Sequence, residues 1–156
     1  MQNQNLNVKW IYLTTIAIWF AIFVSQFLLL SVIYFAKPDL FSFDFTKPFL
    51  SNENSVLLIV LSVLGITTFS ISLFLKLIAL KKLINEQPAD NFQNSIILAF
   101  VTIFNCALCE ATSLFGLLSA FVFDYQYFFL WFALGIFGMI LHFPRRENLN
   151  TVNYKR

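Results

Sequence analysis

The sequence predicts an all-α membrane protein, a bundle of four transmembrane helices forming a single domain. Three observations carry this. Of its 156 residues, 59% are hydrophobic and only 12% charged, against about 45–50% and 25% in soluble domains. The apolar residues are gathered into four runs, each too long for a strand. The four prolines all fall in the polar stretches between those runs or just after the last of them. In hydrocarbon every backbone group must be bonded internally, and a helix does this within one segment.

The first nine residues are polar, and the first predicted span follows at 10–36. It is too long for the apolar core of a signal peptide, about 7–15 residues, and so reads as retained. Its one strongly polar interior residue is Gln26. Residues 37–54 form the longest connection, an outer loop with Pro38 and Pro48. Within it Phe41, Phe43 and Phe45 alternate with Ser42, Asp44 and Thr46, a period of two that predicts an extended segment.

The second span is 55–80. Ser62, Gly65, Phe69 and Ser72 share one helical face, expected to meet the third helix. Lys76 lies near its inner end, where its long stem can carry the charge to the headgroups. Residues 81–94 are a polar turn broken by Pro88.

The third span, 95–123, is the most informative. At about 1.5 Å per residue it reaches about 42 Å, enough to cross a core of about 30 Å with tilt. Near its middle stands Glu110. An ionised acid at that depth costs about 3 kcal/mol to insert, while an apolar residue returns only about 0.3–0.6. The lower-cost arrangements are a neutral carboxyl or one facing protein. Thr102, Cys106, Cys109, Ser113, Gly116 and Ala120 recur at spacings of 4, 3, 4, 3 and 4. They form a small-residue stripe of the kind that lets helices approach closely in lipid. Glu110 and Asn105 border this stripe, so the carboxyl is expected in a helix–helix contact.

After a short outer turn, the fourth span is predicted at 126–143, with Tyr127 and Trp131 as interfacial anchors. Gly135 and Gly138 mark close packing, and Pro144 ends the helix. His142 is expected at the inner boundary, as an interfacial residue or a proton relay. Residues 144–156 are a polar tail. Eight basic residues fall at the N-terminus, the 81–94 turn, the inner end of the second span and the tail, while only Lys37 and Lys47 fall on the other side. The positive-inside rule then places both termini in the cytoplasm, with the protein in the cell inner membrane.

Several function classes are disfavoured. The net charge of +2 is too small to indicate nucleic acid. One histidine excludes a histidine-rich metal site. The sequence holds no Gly-rich phosphate loop, no H-E-x-x-H and no Ser/His/Asp set, so neither cofactor, metal nor enzyme activity is expected. Cys106 and Cys109 read C-x-x-C. At mid-helix they are expected to be buried packing residues, with a thiol redox role as the alternative.

The segment Ala107-Leu108-Cys109-Glu110-Ala111, followed by Leu114-Phe115-Gly116-Leu117-Leu118, resembles the outer helix of rotary ATP synthase proteolipid (subunit c). The preceding Gln87-Pro88 is similar to the Q-P of that family's cytoplasmic loop. The resemblance covers about residues 86–120. It implies that Glu110 binds and releases a translocated proton or sodium ion.

The functional expectation is therefore cation binding, most simply of a proton, at Glu110, with Asn105, Ser113 and Gln26 as supporting ligands. Thr102, Cys106, Cys109, Gly116, Ala120, Ser62 and Gly65 are expected to pack helices. The alternative is a structural or assembly subunit in which Glu110 pins helix packing. Expected partners are the lipid bilayer and either further copies of the chain or a larger membrane complex.

Overall fold

The computed structural model describes residues 2–42, 55–85 and 91–145. Four α-helices account for most of them: α1 (Gln2–Ala36), α2 (Ser55–Asn85), α3 (Asn91–Phe123) and α4 (Phe129–Leu141). No strand occurs among the described residues. α1, α2 and α3 each contain a run long and apolar enough to cross a membrane: Val8–Ala36, Val56–Lys81 and Phe92–Phe123. This is a helical membrane protein. Its outward surface is correspondingly apolar, with Phe35 82% and Phe100 69% exposed.

α4 is shorter than the 126–143 span read from the sequence. It opens with a 3₁₀ turn, Gln126–Phe128, in which Tyr127 leaves helical geometry. Its 13 α-helical residues cover only about 20 Å. It ends at His142, before Pro144, because proline disfavours helical backbone in the residue preceding it. α1 and α2 extend beyond their predicted inner ends and α3 begins before Ser95, so the predicted 81–94 turn narrows to 86–90, which lies outside the described residues. Phe41 is not extended either. It closes a 3₁₀ helix, Pro38–Phe41, with Pro38 at the first position, where its missing N–H costs nothing. Phe43 and Phe45 lie outside the described residues.

α3 is the hub. It packs along all three other helices, whereas α4 touches α1 and α2 only lightly. The α3–α4 contact is set by glycines. A Cβ at Gly135 would fall on Ser113 Oγ and lie 2.8 Å from the Cys109 carbonyl. At Gly138 it would lie 2.5 Å from Cys109 Sγ, and at Gly116 2.9 Å from the Phe128 carbonyl. The small-residue stripe of α3 thus seats α4. The expected α2 partner is only partly there: Ser72 reaches Cys109, but Gly65 faces Trp131 and Phe69 faces Gly138, both on α4. Ser62 is half-buried. Towards the Lys37–Asp124 end, Ala120, Ile33, Phe128 and Phe132 form a core cluster; further along the bundle, Cys106, Cys109 and Met139 form another against Trp19.

A helix leaves its last four carbonyls without intrahelical partners. In α4 all four are bonded. Gly138 O accepts from His142 N–H (3.0 Å), Ile140 O from Phe143 N–H (3.2 Å), Met139 O from Trp19 Nε1–H (2.9 Å), and Leu141 O from Lys76 Nζ (2.5 Å). Lys37 does the same for α3. Its Nζ donates to Phe121 O (3.0 Å) and Ala120 O (3.4 Å), and pairs with Asp124. Asp124 itself takes a left-handed φ of 50°, a common way for a helix to end.

The glycine contacts give a graded prediction. At Gly135 one obstacle is the Cys109 backbone, which cannot rotate away; at Gly65 it is the Trp131 ring. Gly135→Ala should lower stability by about 1–3 kcal/mol, and more than Gly65→Ala, in reversible unfolding of the detergent-solubilised protein. Equal effects would show that α3 and α4 are not in the contact described.

Candidate functional site

The site lies where α1 crosses the middle of α3. An α-helix lets a serine hydroxyl bond a carbonyl three or four residues back, and Ser25 does so on Ile22 O at 2.7 Å. The same Oγ lies 2.5 Å from Glu110 Oε1 across the helix seam. Glu110 is half-buried there. Beside this pair, Ser113 Oγ donates to Gln26 Oε1 at 3.2 Å. Consecutive residues of α1 therefore meet residues of α3 one turn apart, a double polar contact in an otherwise apolar seam.

The hydrogen count of this contact matters. Ser25 carries one hydroxyl proton and faces two acceptor oxygens, Ile22 O and Glu110 Oε1. It donates to one of them at a time. A proton on the carboxyl lets both contacts be hydrogen bonds at once, with Ser25 accepting from Glu110 while donating to Ile22. Removing that proton returns the carboxylate to being an acceptor that competes for the single hydroxyl. The contact therefore holds two hydrogen bonds through Ser25 with the carboxyl protonated and one with it ionised.

The predicted ligand set is only partly assembled. Gln26 is fully buried, but it pairs with Ser113 rather than Glu110, and its Nε2 has no partner among the described residues. Its Oε1 would also lie 3.3 Å from a Cβ at Gly135, so it sits where α1, α3 and α4 meet. Asn105 does not join Glu110. Five residues apart, the two are turned by about 140° around the helix. Asn105 is fully buried, and both its amide atoms lack partners among the described residues. Thr102 is half-buried and donates to Leu98 O at 2.8 Å.

A second polar group links α2, α3 and α4. Ser72 Oγ donates to Phe69 O at 2.7 Å and lies 3.2 Å from His142 Nε2 and 3.7 Å from Cys109 Sγ. Ser72 thus joins α2 to both α3 and the end of α4. His142 is 1% exposed, buried inside the bundle. Thr68 and Thr112 meet at 3.1 Å on the same side. Cys106 and Cys109 are free, buried thiols. No group of three or more His, Cys, Asp or Glu residues is placed to hold a metal among the described residues.

No family model, curated protein or solved structure matches the chain.

Sequence reasoning missed Ser25, the direct partner of Glu110. The available signal was its place beside Gln26, well inside an apolar span. Thr68 and Thr112 were likewise passed over, because each also bonds its own helix.

Ser25→Ala tests the seam. It removes the one hydrogen bond described for Glu110, and should cost about 0.6–2 kcal/mol in unfolding from detergent, the range for hydrogen bonds between membrane helices. In the Ser25→Ala/Glu110→Gln double variant the two losses should not add. Strict additivity would show that the two side chains do not interact.

Proposed function

We propose that this small integral membrane protein binds and releases a cation at Glu110, a proton in the first instance. The observation that supports the reading is the placement of the single Ser25 hydroxyl between two acceptors, a seat completed by one proton on the carboxyl. The depth of Glu110 in the α3 span supports it as well, since ionisable groups inside membranes mark ion and proton pathways. No lysine or arginine bonds Glu110 among the described residues, so charge compensation falls to the bound cation itself. This role is the one the resemblance to ATP synthase subunit c implies. Ser25, rather than Gln26 or Asn105, is the first supporting group.

The proposed setting is the inner membrane, with both termini in the cytoplasm. The distribution of basic residues argues for it, eight on the side of the termini and the 81–94 turn against two on the other.

One observation favours a second reading, a structural or assembly subunit of a membrane complex. The Ser113–Gln26 pair doubles the Ser25–Glu110 contact, as helix glue would. The two readings part at Glu110→Gln, which keeps a hydrogen-bonding group of the same size but cannot exchange the proton.

A hydrophobic carbodiimide should modify Glu110 and leave the other acids largely untouched. The infrared band of a protonated carboxyl should be present in the wild type and lost in Glu110→Gln. In proteoliposomes, dye-reported proton uptake under an imposed potential should disappear in Glu110→Gln with the unfolding midpoint little changed. Uptake retained in that variant would leave the structural reading.

A further inference from the structure

At the end of the bundle opposite the Lys37–Asp124 pair, α1, α2, α3 and the segment that follows α4 line one open cleft. Two cations face it. Lys76 comes from α2, and Arg145 follows α4. No carboxylate lines the cleft, so its charge is uncompensated by the described residues around it. Lys76 spends one of its three N–H donors on Leu141 O, which fixes the ammonium in place and leaves two donors. Arg145 is exposed and carries five.

His142 forms part of the wall. It is 1% exposed, and its Nδ1 has no partner among the described residues. The rest of the lining is mixed, with the polar Tyr12, Thr15, Ser95 and Thr102 beside apolar side chains. Ile11, Leu98 and Phe143 share the cleft with the cations, and Ile11 and Leu98 belong to the membrane-crossing runs of α1 and α3.

We propose that this cleft holds the headgroup of an anionic phospholipid. Its phosphate lies between Lys76 and Arg145, and its glycerol and upper acyl carbons lie against Ile11, Leu98 and Phe143. Basic pockets between membrane helices are built to take such headgroups. The pairing of cations with an apolar wall selects an amphiphile over a free anion: inorganic phosphate would satisfy the charges but leave the wall facing water. The site is separate from Glu110, and its occupancy does not depend on proton exchange there.

Thermal unfolding of the full chain in a neutral detergent tests this. Added phosphatidylglycerol should raise the midpoint in a saturable way, while phosphatidylcholine and inorganic phosphate leave it unchanged. Arg145→Gln should shift the phosphatidylglycerol titration to about fivefold higher concentration, the effect of one cation near a lipid phosphate. Arg145→Gln carries the test because Lys76→Gln also removes the bond to Leu141 O and can loosen α4. Equal protection by phosphatidylcholine overturns the proposal, as does protection by phosphate alone matching that of phosphatidylglycerol. An Arg145→Gln titration identical to wild type overturns it too.

Discussion

A helix end near hydrocarbon has no water to take its last carbonyls, and this constraint shapes the bundle. α4 is too short to carry both ends clear of the apolar layer. Its four terminal carbonyls are met by its own chain and by Trp19 and Lys76. Each of these two side chains belongs to a different helix, so finishing α4 also fixes the positions of α1 and α2 around it. Lys37 repeats the device on the other side, joining the end of α1 to the end of α3. Cations also suit helix C-termini, where the backbone dipole leaves partial negative charge. Both lysines therefore act as structural ties between helices, besides their effect on orientation.

With the ends fixed, the faces of α3 divide the work. Towards α4 it presents Cys109, Ser113 and Gly116, and the answering glycines Gly135 and Gly138 bring the two backbones close. Towards α2 it presents Thr112 and Cys109, which meet Thr68 and Ser72. Towards α1 it presents Glu110 and Ser113. Apolar burial does not drive helices together in lipid; close packing and shared hydrogen bonds do. Every interface of α3 uses at least one of these, which explains how a helix of moderate hydropathy can be the most buried of the three that cross.

The three long apolar helices were legible because length and composition are local properties. Composition and run length decide whether a segment crosses a membrane, and Glu110 is near the middle of its run whatever surrounds it. Neighbour identity was not legible. The face bearing Gly65, Phe69 and Ser72 was correctly read as one stripe, but periodicity says only that residues share a face, not which helix covers it. α4 took half of that face because it is short and glycine-bearing and can sit between α2 and α3. Gln26 was a natural candidate for Glu110 by polarity alone. Helix rotation gave Glu110 to Ser25 and Gln26 to Ser113. The serine was hidden because a hydroxyl bonded to its own helix reads as an apolar-compatible residue.

The Ser25–Glu110 contact differs from simple glue in one physical respect. Ile22 O, the other acceptor of the Ser25 hydroxyl, is already served by the i→i−4 N–H bond of a regular helix. Turning the hydroxyl from Ile22 to the carboxylate therefore leaves no carbonyl unbonded, and costs little. The protonated seat holds two hydrogen bonds through Ser25 and the ionised seat holds one, and a small hydroxyl rotation connects them. Two neutral residues could hold α1 against α3 without placing an acid in the apolar run of α3. That asymmetry is the physical reason to weigh proton exchange above packing at Glu110.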